Sequence, residues 1–139
     1  MTQARTVLGF DFGLKNIGIA VGQELTYTAN ALTVIKARDG IPDWQQIAAI
    51  LEQWQPQLFV VGLPLNMDGT EQEMTAAARR FGHRLNGRFQ IPVAWQDERL
   101  TTFEALDQLG IRSKMQSNNH GDVDRISAQV ILQSWLNQQ

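Results

Sequence analysis

The chain has no cysteine among its 139 residues. That excludes disulfides, thiolate nucleophiles and cysteine-built zinc or iron–sulfur sites, and it fits a reducing compartment. Histidine is nearly as scarce, and His83 and His120 do not stand at ligand spacing. No serine, histidine and aspartate occur in a nucleophile-elbow context. No apolar run approaches the roughly 18–20 residues that span a bilayer. Met1-Thr2-Gln3-Ala4-Arg5 leads into a strand pattern rather than a signal peptide, so the expectation is a soluble cytoplasmic protein without a membrane partner. A surplus of positive charge is missing too. The formal net charge of −2 argues against a protein that coats nucleic acid nonspecifically, because such binding is driven by phosphate neutralisation. Repeats and low-complexity segments are absent, and the length fits one domain, residues 1–139, with a real core.

What is present is punctuated by carboxylates. Val7-Leu8-Gly9-Phe10-Asp11 reads as an apolar strand that gives out at an acid, and a turn with Gly13, Lys15 and Asn16 leads to a second strand near Gly18–Gly22. A third strand is expected around Tyr27–Lys36. Helical spacing of Ile47, Ile50, Leu51 and Trp54 follows, with Pro42 able to sit in the first turn and Pro56 ending the helix. Leu58–Gly62 is a continuous apolar run, the mark of a strand buried on both faces. A helix over Glu71–Asn86 places Met74, Ala77, Ala78, Phe81 and Leu85 inward, and Pro92–Gln96 is another buried strand. Thr101-Thr102-Phe103-Glu104 offers a capping box to a short helix ended by Gly110. Ile111–Gly121 reads as a loop, and a last, deeply packed helix covers about Asp122–Leu136.

The order β-β-β-α-β-α-β-α-α implies an α/β domain. Its five-stranded mixed sheet, an antiparallel three-strand meander plus two parallel strands, has helices on both faces. Sites in such sheets lie outside the carboxyl ends of the parallel strands. Asp11, the Gly62-Leu63-Pro64 loop and Asp97-Glu98 all follow strands that end there. Each acid also has a plain structural role available. Asp11 can form a turn, Asp97 and Glu98 can pair with Arg99, and Asp122 and Asp124 suit a helix start. Their coincidence at one sheet edge points instead to Mg²⁺ or Mn²⁺, which take hard oxygen ligands. Uncompensated carboxylates about 4 Å apart would repel by about 4 kcal/mol at an effective dielectric near 20. A separate feature is basic: Arg79, Arg80, His83, Arg84 and Arg88 fall between Glu73 and Asp97 with no acid among them. Such a face suits an anionic partner or is simply solvated.

Four segments together resemble one family: Asp11-Phe12-Gly13-Leu14-Lys15-Asn16-Ile17-Gly18-Ile19-Ala20, Gly62-Leu63-Pro64-Leu65-Asn66-Met67-Asp68-Gly69-Thr70-Glu71, Asp97-Glu98-Arg99-Leu100-Thr101-Thr102 and Val123-Asp124-Arg125-Ile126-Ser127-Ala128. The chain looks like the YqgF family, also called RuvX, the pre-16S rRNA nucleases once described as Holliday-junction-resolvase-like. The resemblance covers nearly the whole chain. It implies an RNase H-like fold and metal-dependent phosphodiester hydrolysis that matures the 5′ end of 16S rRNA, with precursor rRNA or the ribosomal subunit as partner. By carry-over Asp11, Glu98 and Asp124 are the catalytic and metal-binding acids, with Asp97 and Asp122 as further candidate ligands. In the expected roles Asp11 bridges two ions while Glu98 and Asp124 each help hold one, and water is activated on metal rather than by histidine. Lys15, Asn66, Arg80, Arg84, Arg99 and Lys114 are the candidate nucleic-acid contacts.

Two departures stand out. The fourth strand of related junction resolvases supplies an acid, whereas here it ends in Gly62-Leu63-Pro64, so the second ligand is Asp97 or Glu98, with Asp68 a distant reserve. The basic residues that often precede the family's Val-Asp motif are replaced by His120-Gly121-Asp122, leaving Arg112 and Lys114 as substitutes. Competing readings are a branched-DNA resolvase, which would act as a symmetric dimer, and a non-catalytic ribosome-assembly module. A monomer or weak homodimer is expected. The sugar-kinase and actin-type ATPases that share this core need two such domains, and this chain supplies one.

Overall fold

A computed structural model describes residues 4–100 and 120–139, with Leu100 and residues 120–124 described as backbone only. The expected short helix over 101–110 and positions 111–119 of the expected loop, with Arg112 and Lys114, lie outside the described residues, while the loop's last two positions, 120 and 121, instead begin the final helix. Among the described residues six strands form one mixed sheet: β1 (Thr6–Asp11), β2 (Asn16–Gln23), β3 (Thr28–Arg38), β4 (Ile41–Pro42), β5 (Leu58–Leu63) and β6 (Val93–Asp97). Their spatial order is β4-β3-β2-β1-β5-β6. The first three strands make the antiparallel meander, and β5 runs parallel to both β1 and β6.

The sixth strand is a correction to the expected five. Ile41–Pro42 pairs with Ala37–Arg38 at the sheet's edge, where proline is tolerated because no partner needs its missing N–H. Pro42 therefore does not open the following helix. Asp43 does, its carboxylate accepting from the Gln45 N–H at 3.0 Å. Helix α1 then covers Trp44–Trp54 and ends at Gln55, whose left-handed backbone returns its N–H to the Leu51 carbonyl.

The two faces of the sheet are covered by different helices. On one, Leu8, Phe10, Ile17, Ile19, Phe59 and Val61 pack with Ile47 of α1 and with Phe81 and Leu85 of α2 (Glu73–Phe89). Phe10 meets both Phe59 and Phe81 edge-on at 5.5 Å between centroids. On the other, Val7, Ala20, Ala29, Leu58 and Val60 pack with Ala128, Ile131, Leu132, Trp135 and Leu136 of α3 (His120–Asn137). The alternation of strand side chains sorts residues between these faces.

Helix α3 lies unusually close to the sheet because β1 and β2 present glycines under it. A Cβ on Gly9 would stand 2.7 Å from the Leu132 Cβ, and one on Gly22 would stand 2.9 Å from Leu132 Cδ2. The helix also closes part of the open edge of β3. Gln133, 1% exposed, accepts from the Ala29 N–H at 3.0 Å and donates to the Tyr27 carbonyl at 2.8 Å, while Gln129 donates to the Ala29 carbonyl. These amides replace the neighbouring strand that β3 lacks there. No helix among the described residues is long and apolar enough to cross a membrane.

Candidate active site

The carboxyl ends of β1, β5 and β6 lie side by side. Phe10 pairs with Val61, so Asp11, one residue further on, comes level with Gly62. Gly62 in turn pairs with Gln96, and Leu63 with Asp97. Alternation puts Asp11 on the same side as Val7 and Gly9, the α3 face.

The acid that ends β6 and the one that follows it have opposite fates. The chain turns into one turn of 3-10 helix over Glu98–Leu100, which sends Asp97 and Glu98 different ways. Asp97 is taken by Arg99. Its carboxylate accepts from the Arg99 backbone N–H at 2.9 Å and from the guanidinium at 2.7 Å, and Arg99 holds its pKa below the usual carboxylate range. Glu98 instead folds back over β5. Its Cγ and Cδ lie 3.2 Å from where a Cβ on Gly62 would stand, and Ile131 of α3 comes within 2.7 Å of the same point. Glu98 therefore occupies space that exists because residue 62 is glycine. Loss of solvation by burial, with a smaller push from the Asp97 charge, raises its pKa above the ordinary glutamate value.

Arg99 also reaches the loop after β5. Its Nη1 donates to the Met67 carbonyl at 3.1 Å, and Gly69, at φ +89°, passes beneath the guanidinium. A side chain there would need a conformation that L-residues rarely adopt. Asp68 accepts from both the backbone N–H and the hydroxyl of Thr70, which lowers its pKa and commits it to the loop. Asn66 donates to the Thr70 hydroxyl at 3.0 Å. The Thr75 hydroxyl ties the start of α2 to the Pro64 carbonyl. The loop is thus internally braced, with Met67 exposed at its tip.

The remaining residues fall at several places. Lys15 is exposed in the β1–β2 turn at the Asp11 end, and its carbonyl accepts from Ala37. Arg80 and Arg84 are exposed on α2, across the sheet from Asp11 and Glu98. Asp122 and Asp124 belong to the first turns of α3, where the backbone alone is described. That backbone still carries information. Ala128 sits over Gly9, and from there both chains head toward the same sheet end. The two residues from Gly9 to Asp11 advance about 6.6 Å, and the four from Ala128 back to Asp124 about 6 Å.

Sequence reasoning placed Gly62 at this end without giving it a role, and passed over Gln96. Gly62 is the floor on which Glu98 rests. Gln96 is 2% exposed, shares the face of Gly62, and keeps a buried Nε2 without a hydrogen-bond partner among the described residues. The clue to both was position: a glycine and an amide at the ends of apolar strands whose pattern calls for another aliphatic residue.

Among the described residues no three acid or histidine side chains already cluster. The donor set nevertheless fits a magnesium or manganese ion. It is all carboxylate oxygen, and Glu98 is a carboxylate whose charge burial disfavours and a cation would restore.

An antiparallel three-strand meander continued by two parallel strands, with helices on both faces, defines an RNase H-like resolvase-type fold. The fold matches RuvC of T. thermophilus in complex with a Holliday junction substrate (TM-score 0.58, 16% identity, covering 96% of this chain and 94% of that one). It also matches the Fowlpox virus resolvase in complex with Holliday junction DNA (TM-score 0.56, 13% identity, 96% and 97%). At such identities the likeness is one of fold. The family model RuvX, described as Holliday junction resolvase, matches residues 5–138, and the chain belongs to this RuvX (YqgF) family. Relatives named "Putative pre-16S rRNA nuclease" include one from Nitrosococcus oceani, 56% identical over 138 residues (99% of this chain, 90% of the relative). Another, from Yersinia pestis, is 58% identical over 135 residues (97% and 96%).

Proposed function

We propose that this chain is a divalent-metal-dependent nuclease that hydrolyses RNA phosphodiester bonds and processes the 5′ end of pre-16S rRNA in the cytoplasm. The observation that carries the reading is the Glu98 carboxylate held over Gly62, level with Asp11. The relatives' names favour rRNA as substrate. Asp11, Glu98 and Asp124 would hold Mg²⁺ or Mn²⁺, with α3 carrying Asp124 toward the Asp11 end. When bound, a divalent cation offsets phosphate charge and acidifies water. Asp97 stays out of the ligand set because Arg99 fixes it. Asp97 and Arg99 act instead as a brace that joins the 65–71 loop to the segment bearing Glu98. Lys15 offers an exposed ammonium to a phosphate at the same sheet end.

The test is cleavage of matched precursor rRNA and four-way junction DNA, in magnesium or manganese, by wild type and Asp11→Asn. The proposal requires RNA cleavage that disappears in the variant while fold and RNA affinity persist. Cleavage retained by Asp11→Asn sinks the assignment of the site. Cutting of the junction alone replaces RNA with branched DNA as the substrate. RNA association without cleavage, unmoved by chelator, makes the protein a binding module.

A further inference from the structure

The acids and the arginines occupy opposite faces of the sheet. Asp11 and Glu98 belong to the face under α3, whereas α2 packs through Ala78, Phe81 and Leu85 on the other. On the solvent side of α2, Arg80 and Arg84 stand one turn apart, both exposed and neither in an ion pair among the described residues. Ala76 before them and Gly87 after them are exposed and small. Arg88 continues the row, its guanidinium over the Trp44 ring at 4.4 Å. Arg79 does not belong to it, being turned to Glu71 and to the Trp95 ring. No acid stands between Glu73 and Asp97, in a chain whose net charge is −2. A cationic strip on a mildly acidic protein attracts a polyanion at that strip alone, and guanidinium forks match phosphate oxygens.

We propose that the outer face of α2 is a second nucleic-acid surface, which grips the phosphate backbone of RNA flanking the cleaved strand rather than the phosphate being cut. The inference rests on the nuclease reading above and deepens it. The substrate it implies is an RNA long enough to reach around the sheet edge from the acid site to α2, so a flanking stem contributes to binding that a short strand cannot supply.

The test uses the full chain, wild type and Arg80→Gln/Arg84→Gln, in chelator so that no turnover intervenes. Affinity is measured by fluorescence anisotropy against salt for two RNAs: a short single strand spanning the cleavage point, and the same strand with its flanking stem. Wild type is expected to bind the longer RNA more tightly, and the variant to lose that gain. Two lost phosphate contacts lower the log–log salt slope for the longer RNA by about 1.4–1.8. Between 50 and 200 mM salt, wild type then loses about 7–12-fold more affinity than the variant does. Circular dichroism checks that both proteins are folded. An unchanged slope and an unchanged gain overturn the inference and leave the face merely solvated. An equal loss of affinity for both RNAs overturns it too, since the arginines would then serve the cut strand. Wild-type cleavage of RNA alongside either result spares the nuclease reading, whereas failure of wild type to bind either RNA removes both.

Discussion

Gly62→Ala separates the stability of the fold from the geometry of the site. The added Cβ would meet Ile131 Cδ1 at 2.7 Å and the Glu98 Cγ and Cδ at 3.2 Å. Both are outer parts of flexible side chains, so the fold can yield. Overpacking costs about 1–3 kcal/mol in general, and the lower end applies here, about 1 kcal/mol. For a domain of this size that is a fall in melting temperature of about 3–5 °C. Glu98 cannot yield without moving its carboxylate, however, and displacements near 1 Å at a reacting centre cost up to about 100-fold in rate. Cleavage per folded molecule should therefore fall by tenfold or more. Gly82→Ala is the control. Its Cβ would strike the Trp95 indole, with Cζ3 at 2.7 Å, on the face away from the acids. Trp95 is rigid, so the stability cost is larger, about 2–3 kcal/mol, while kcat on a short RNA should hold. Thermal melts and single-turnover cleavage of both variants measure the two quantities. Equal loss of rate in both, or none in Gly62→Ala, would refute the role given to Gly62.

Other consequences concern the frame. Arg5 donates to both carboxylate oxygens of Glu24, at 2.7 and 2.9 Å, and this bond depresses the Glu24 pKa. A depressed acid contributes stability above its unfolded pKa and loses it as pH falls through the folded one. Glu24→Gln should thus cost stability at pH 7, and the difference from wild type should shrink below about pH 4. With the Arg5 side chain 41% exposed, solvent screening limits the effect to about 0.5–1 kcal/mol, readable by urea melts across pH. Gln133→Leu keeps bulk but strands the buried Ala29 N–H. It should cost about 1–3 kcal/mol, with faster amide exchange at the open edge of β3 as the accompanying sign. Magnesium or manganese should raise the melting temperature of wild type, as any ligand of the native state does. That rise should vanish in Glu98→Gln.

Much of this architecture was legible because burial leaves periodic marks. The unbroken apolar run of β5 announced a strand covered on both sides, and α3 announced deep packing because Val123, Ile126, Val130, Ile131 and Trp135 set apolar residues most of the way round it. The meander was legible from β-branched strands separated by a glycine and asparagine turn. The two-residue β4 was not, since so short a pairing has no period, and Pro42 read naturally as a helix start until an edge strand took it. On α2, Thr75 and Gly82 are buried, while Met74 and Ala77 are only partly so. A tryptophan from β6 needed the space over Gly82, and no one-dimensional pattern shows that. The sequence also placed Asp97 and Glu98 together without choosing between them. The choice depends on the turn after β6, on Arg99 capturing its neighbour two residues back, and on a glycine of the adjacent strand β5, all tertiary facts.

The central claim is that Glu98, not Asp97, completes the site with Asp11. Its most direct test is metal-dependent cleavage of precursor rRNA by Glu98→Gln and Asp97→Asn, each checked for folding, under single-turnover conditions. The account predicts that Glu98→Gln abolishes cleavage, by 100-fold or more on the scale of a lost catalytic group. Asp97→Asn should keep measurable activity, since it loosens only the brace to Arg99. Abolished cleavage in Asp97→Asn with activity retained in Glu98→Gln would contradict it.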